Sequence, residues 1–314
     1  MIICLCATRN WYIHLATELY AIFKHNKVKK VYLFIEDDNI PYLTDKRIEF
    51  INVNNLPEYI TSDSPNYNTK YTKASYLRCY FSKVLKEDKI LYLDADTLVV
   101  DNIEELWDID MEDNVLIGIH EPGAWNNHLC TYGLDETYIN SGVLVMDLKK
   151  IREEKLDDSM IYLLNNTHYW FPDQDVINLV CRNRIKYVSN VYNSTETTGM
   201  VDNAKIIHYI RGRKGWIKGS PRSEIWDKYH KEFIESEGSM KVYKVKAIKN
   251  FNDYNGKDIN DPKNAFEARE AGKSEWECDG DRYNFLKSVE AVELVEIINV
   301  EEPAEEKPKK KKKK

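Results

Sequence analysis

Apolar residues in this chain gather in short unbroken runs: "MIICLCAT" (1–8), "KVYLFIED" (30–37), "IEFINV" (48–53), "KILYLDADTLVV" (89–100), "NVLIGIHE" (114–121) and "SGVLVMDLKKI" (141–151). Runs of this length without polar alternation read as strands covered on both faces. Between them the period changes. Leu15, Leu19, Ile22 and Phe23 fall at helical spacing, and so do Ala74, Leu77, Phe81 and Leu85 within 72–85, with Arg78 beside them. Further helical stretches are expected around 153–165 and 173–183. Strands alternating with helices predict an α/β domain around a mostly parallel sheet, whose ligands bind outside the carboxyl ends of the strands.

The pattern changes near "ESEGSMKV" (235–242), where Ser236, Gly238 and Ser239 read as a linker. Beyond it "YKVKAIKNF" alternates like a half-buried strand, "AVELVEII" (291–298) reads as another, and "DRYNFLKSV" between them as a helix. The expected organisation is a main domain over 1–237, a small α+β or β module over 240–300, and a charged, low-complexity tail over 301–314, expected to be disordered.

Composition narrows the class. The chain has 314 residues, is 43% hydrophobic and 31% charged, and carries a formal net charge of -7 despite its terminal lysine run. An acidic body argues against a nucleic-acid partner. The six cysteines show no CxxC pair, and Cys4 and Cys6 lie in a buried run, as reduced thiols do. No stretch approaches 18 consecutive apolar residues and no signal-peptide pattern opens the chain, so a cytoplasmic protein without an integral membrane segment is expected.

Candidate chemistry centres on "LYLDADTLVV" (91–100). Residues two apart on a strand share a face, so Asp94 and Asp96 converge. Crowded carboxylates repel, and they need either a cation or solvent at the strand end. Two readings stand: acids capping a solvated turn, or oxygen ligands for Mg²⁺ or Mn²⁺. In "IIHYIRGRKGW" (206–216), His208 offers a nitrogen ligand that favours Mn²⁺. Lys214, Arg211 and Arg213, with backbone N–H groups near Gly212 and Gly215, offer a diphosphate seat. Alternatively this is a partly buried histidine before an ordinary basic loop. Asn140 and Ser141 in "YINSGVLVMDL", and Asp173, Gln174 and Asp175 in "FPDQDVIN", can bond sugar hydroxyls. For Asp173, capping the helix that follows is the reading favoured in isolation.

Taken together and in order, "LYLDADTLV", "YINSGVLVMDL", "FPDQDVIN" and "IHYIRGRKGW" closely resemble glycosyltransferase family 8, the retaining GT-A enzymes that include bacterial galactosyl- and glucosyltransferases and glycogenin. "YTKASYLRCYFSKVL" resembles that family's donor-binding helix, and the resemblance covers 1 to about 235. It implies a GT-A fold with a Rossmann-like, mostly parallel sheet. It also implies Mn²⁺, with Mg²⁺ as the other candidate, held by Asp94, Asp96 and His208 on the diphosphate of a UDP-sugar. Lys214 then meets the leaving diphosphate, Arg78 lies near the donor sugar, and Asn140, Ser141, Asp173 and Gln174 take the sugar and reaction-centre positions. The implied partners are UDP-glucose or UDP-galactose and a glycan or protein acceptor.

Two departures from the family pattern stand out. "CATRNWYIHL" occupies the place of a small-residue pair followed by Asp-Asp-Asn-Tyr. Ala7, Thr8 and Asn10 fall in that stretch, and Trp11 or Tyr12 supplies the aromatic ring for uracil. After His208, Arg211 stands where the family has glycine and Gly212 follows, so a reshaped phosphate loop is expected. Trp125, in the stretch 121–138 expected to help form the acceptor site, is a candidate stacking residue. The resemblance implies retention, by same-face attack with Gln174 as a stabiliser. The other classes to weigh are a nucleotidyltransferase, which "CATRNWYI" disfavours for want of a glycine-rich loop, a catalytically inactive nucleotide-sugar-binding module, and a phage- or prophage-associated structural protein acting through 240–314.

Overall fold

The computed structural model describes residues 1–40, 43–67, 69, 71, 73–122 and 137–236, and the backbone of five strands beyond 240. Its contacts divide the chain into two units, Met1–His230 and Lys231–Lys314. In the first, seven strands form one sheet: β1 (Ile2–Cys6), β2 (Lys30–Ile35), β3 (Ile48–Asn52), β4 (Lys89–Asp94), β6 (Leu116–His120), β7 (Ile139–Asp147) and β8 (Ile185–Tyr187), in the order β3-β2-β1-β4-β7-β6-β8. All pairs are parallel except those of β7, which runs antiparallel to both β4 and β6. A short second ladder pairs β5 (Thr97–Val99) with β9 (Ile206–His208).

The unbroken apolar runs have the expected cause. Cys4, Phe34, Tyr92 and Leu144 pack into a core on one face of the sheet, and Ile3, Leu5, Leu33, Leu93 and Val143 into a second core on the other. Strands β1, β2, β4, β6 and β7 feed both layers, so neither of their faces is polar, whereas the edge strands β3 and β8 expose Glu49 and Tyr187. The second core is covered by the helix Tyr12–His25, which buries Leu15, Leu19 and Ile22 against it.

Residues 73–85 depart from the helix expected over 72–85. They form two short helices, Lys73–Tyr76 and Phe81–Val84, joined by a 3-10 turn at Leu77–Cys79. Tyr76, Leu77, Arg78 and Cys79 are all buried, and four consecutive residues cannot share one face of a straight helix. The tighter turn is what allows Arg78 to face the strand ends while its neighbours enter the core.

The same helix that covers the sheet also carries a buried acid. Glu18 accepts hydrogen bonds from Thr97 Oγ1 (2.9 Å) and the Val99 N–H (3.0 Å), tying the helix to β5. Burial pushes its carboxyl up to about 8, against the opposing pull of those two bonds. A carboxyl raised on folding stabilises the fold below its unfolded value of 4.5, and that contribution is lost as pH rises through 8. Replacing Glu18→Gln should therefore flatten the pH dependence of unfolding across this window, by on the order of 4 kcal/mol. Denaturant titrations of both proteins at pH 5 and 8.5 measure the difference.

The second unit contains a three-stranded antiparallel sheet, β13 (Glu275–Cys278), β10 (Lys241–Ala247) and β14 (Val292–Asn299), and a pair, β11 (Phe251–Tyr254) with β12 (Phe266–Arg269). Strands thus occupy both segments where sequence periodicity placed them. The helix expected in "DRYNFLKSV" lies outside the described residues. The thiols of Cys4, Cys6, Cys79 and Cys181 are unpaired and buried. Among the described residues no helix is long and apolar enough to cross a membrane.

Candidate active site

Strand β4 ends at Asp94, and Ala95 and Asp96 form the turn into β5. The two carboxylates thus converge through a turn rather than through the pleat of one strand. Pairing of Thr97 with His208 brings in the third group, and the ligand atoms of Asp94, Asp96 and His208 lie within 4.8 Å of one another. His208 Nε2 is 3.2 Å from Asp96 Oδ1 and 3.7 Å from Asp94 Oδ2.

Each carboxylate has one oxygen held by the protein and the other turned to this cluster. Asp94 Oδ1 accepts from Arg78 Nη2 (2.6 Å) and from the Tyr92 hydroxyl, and Asp96 Oδ2 accepts from Lys214 Nζ. Burial raises the Asp96 carboxyl, but His208 and Lys214 outweigh it and hold the group below the usual carboxylate range. Gly142 on β7 backs the cluster. A Cβ there would lie 2.1 Å from His208 Cε1 and 2.8 Å from Asp94 Oδ2. Two hard oxygens and one imidazole nitrogen, packed against a glycine that leaves them room, fit Mn²⁺ or Mg²⁺.

These groups line a cavity of about 800 Å³ at the carboxyl ends of β1 and β4. Arg78, only 6% exposed, spans its floor. Its Nη1 donates to the Ser141 carbonyl (2.8 Å) and Oγ (2.9 Å), and its Nε lies 3.1 Å from Asp173 Oδ2. Asp173 therefore does not cap the helix Pro172–Val180, whose N-cap position is Phe171. Burial pushes the Asp173 carboxyl up to about 6; Arg78 pulls against this and Asp94 adds repulsion. Gln174 Oε1 accepts from the Ser141 N–H (2.9 Å), and its Nε2 donates to Glu121 Oε2 (3.0 Å).

Of the residues expected to meet the base, Ala7, Thr8 and Trp11 line the cavity and Asn10 and Tyr12 do not. Asn10 accepts from the Thr8 hydroxyl, and Tyr12 is buried with its hydroxyl on Asp37. Of the two adjacent aromatics, Trp11 is the one that lines the cavity. It sits edge-on to Trp216, which in turn stacks on His14 at 3.6 Å between centroids, and Lys214 Nζ lies 5.3 Å from its ring centroid. Arg211 and Gly212 line the cavity, whereas Arg213 is turned out to Glu196. Arg211 has φ +59°, so the left-handed conformation that suits glycine is carried here by arginine, at a cost of about 1–2 kcal/mol. Asp175 is fully buried and takes the Tyr138 hydroxyl and the Phe171 N–H, away from the cavity. Trp125 lies outside the described residues.

Four residues that sequence reasoning did not single out belong to this constellation: Tyr92, Glu121, Gly142 and Asn193. Glu121 follows the end of β6 and lines the cavity, and Asn193 Oδ1 lies 2.9 Å from His208 Nδ1. A glycine inside an otherwise bulky strand was the available signal for Gly142. The strand-end rule applied to β6 was the signal for Glu121.

The sequence model of glycosyl transferase family 8 matches residues 2–219. The chain belongs to glycosyl transferase family 8. This family 8 chain is 23% identical over 245 residues to General stress protein A of Bacillus subtilis, covering 67% of the chain and 85% of that protein. It is 26% identical over 188 residues to the lipopolysaccharide 1,2-glucosyltransferase of Escherichia coli, covering 53% and 55% of the two, so it spans about half of that relative. Among solved structures it resembles the galactosyltransferase LgtC in complex with donor and acceptor sugar analogues. The TM-score is 0.60 at 20% identity, and 74% of this chain and 96% of that one are covered. That likeness shows the fold, which is GT-A. The protein is thus a glycosyltransferase by family.

Proposed function

We propose that this glycosyltransferase is metal-dependent and retaining, and moves glucose or galactose from a UDP-sugar to a glycan or protein acceptor. The observation that carries the reading is the division of labour at the acid pair. Asp94 and Asp96 each give one oxygen to a protein cation and aim the other at His208, with Lys214 beside them.

Asp94, Asp96 and His208 would hold a divalent cation, which would supply Lewis-acid stabilisation of the departing diphosphate. Lys214 lies where it can donate to the same leaving group, and Trp11 and Thr8 line the end of the cavity assigned to the uracil ring. Arg78 stays locked on Asp94 and Asp173, fixing both carboxylates beside the sugar. The bond from the anomeric carbon to the diphosphate oxygen breaks through an oxocarbenium-like state. Gln174 is a poor nucleophile, because its oxygen already accepts from the Ser141 N–H and hydroxyl. The acceptor hydroxyl therefore attacks the face the diphosphate leaves and passes its proton to a departing phosphate oxygen. Configuration is retained without a covalent intermediate, and Gln174 and Glu121 stabilise the charge that develops.

UDP release from a panel of UDP-hexoses, with Mn²⁺ or with EDTA, tests this reading. Release is expected only with metal, and Asp96→Ala should lower it by about 10³-fold or more. Release that persists in EDTA would overturn the metal role, and an anomerically inverted product seen by NMR would overturn the same-face step.

A further inference from the structure

The Nδ1 contact of His208 traces back, through two amide side chains, to a backbone N–H that cannot change direction. The Gly142 N–H donates to Asn140 Oδ1 (3.0 Å), so the Asn140 amide must point its oxygen that way. Its nitrogen then faces Glu121 Oε2 (3.3 Å), an acceptor. The neighbouring Ser141 N–H orients Gln174 in the same manner, sending the Gln174 nitrogen to the same Glu121 oxygen. Asn140 Oδ1 also faces Asn193 at 2.9 Å. An oxygen can only accept, so Asn193 must present its nitrogen there and its oxygen to His208 Nδ1, 2.9 Å away. Asn193 and Asn140 are buried, which leaves water little chance to relax this order.

We propose that Asn193 is a positioning residue that holds His208 in the tautomer with Nδ1–H protonated, leaving the Nε2 lone pair toward Asp94 and Asp96. The polarity is set at the Gly142 amide and relayed through Asn140 and Asn193, so one run of strand β7 orders both the metal-facing imidazole and the Gln174 amide. This inference rests on the metal reading above. An imidazole ligand with its other nitrogen anchored to an oxygen binds metal more tightly, and loss of such a partner typically costs 10–100-fold in affinity.

The test compares two variants by Mn²⁺ affinity, read from the electron paramagnetic resonance of unbound Mn²⁺ without any sugar nucleotide, with thermal unfolding of each protein alongside. Asn193→Ala removes the acceptor and should weaken binding about 10–100-fold. Asn193→Asp keeps an oxygen on Nδ1, exchanges the donor to Asn140 for a second acceptor and adds a negative charge that makes the imidazole a stronger ligand. Its Mn²⁺ affinity should therefore fall no more than about threefold below the parent. Equal loss in both variants would assign Asn193 a packing role and overturn the proposal, as would unchanged affinity in Asn193→Ala. A parent protein that takes up no Mn²⁺ would overturn the metal reading itself, and this inference with it.

Discussion

Gly142→Ala is expected to reduce sugar transfer by at least about 10²-fold, since a displacement of about 1 Å at a reacting centre costs that much. The new methyl carbon would sit 2.1 Å from His208 Cε1, far inside contact distance. His208 cannot swing aside cheaply, because it is buried and its Nδ1 is engaged by Asn193. Either the imidazole leaves the acids, or β7 shifts and takes the Ser141 and Gly142 amides with it. The overpacking should also cost about 1–3 kcal/mol of stability. UDP release and denaturant unfolding separate the two effects. Activity within tenfold of the parent would mean that His208 is not held against Gly142 as the geometry has it.

Arg78→Leu should have the largest effect on stability. It removes a buried cation and leaves Asp94 Oδ1, Asp173 Oδ2 and the Ser141 carbonyl without their common donor. Breaking a buried ion pair from one side costs about 3–5 kcal/mol. The Asp173 carboxyl, already pushed up to about 6, should rise further once its compensating charge is gone. Transfer should fall with stability, because Asp94 loses the contact that turns Oδ2 toward His208. Arg78→Lys should recover part of the stability and little of the activity. A single ammonium cannot reproduce a guanidinium fork that reaches Asp94, Asp173 and Ser141 together. Equal unfolding free energies for Arg78→Leu and the parent would contradict the buried pairing.

Much of this arrangement is visible before any coordinates. The inner strands could be read because each is apolar on both faces, while the edge strand Ile185–Tyr187 has no such run and gives no signal. The acid pair, His208 and Lys214 stand in short motifs with local spacing. The errors have physical causes. The 3.6-residue period of 72–85 is real at Leu77, Phe81 and Leu85, yet it says nothing about Tyr76 to Cys79, where every side chain is buried and the helix must break. Trp11 and Tyr12 are adjacent aromatics, and only the entry of the chain into the helix Tyr12–His25 decides which of them turns inward. Asp173 has the residue type of a helix cap, but the helix already begins at Pro172, and buried Arg78, nearly a hundred residues earlier, takes its carboxylate instead. Asn193 lies in "NSTETTG", a polar run that reads as an ordinary turn. Its importance comes from facing the Asn140 amide and the His208 imidazole, which no local pattern can reveal.

The pairing of Thr97 with His208 also bears on the order in which the molecule is made. During synthesis the acid pair leaves the ribosome more than a hundred residues before the imidazole that completes it. Until then Asp94 has Arg78, and the pair lacks both His208 and Lys214, which arrive with the last strand and loop of the first unit. On the metal reading proposed above, a nascent chain thus lacks its full ligand set for most of its elongation. A chain ending before residue 206 would carry every strand of the seven-stranded sheet, yet is expected to transfer nothing.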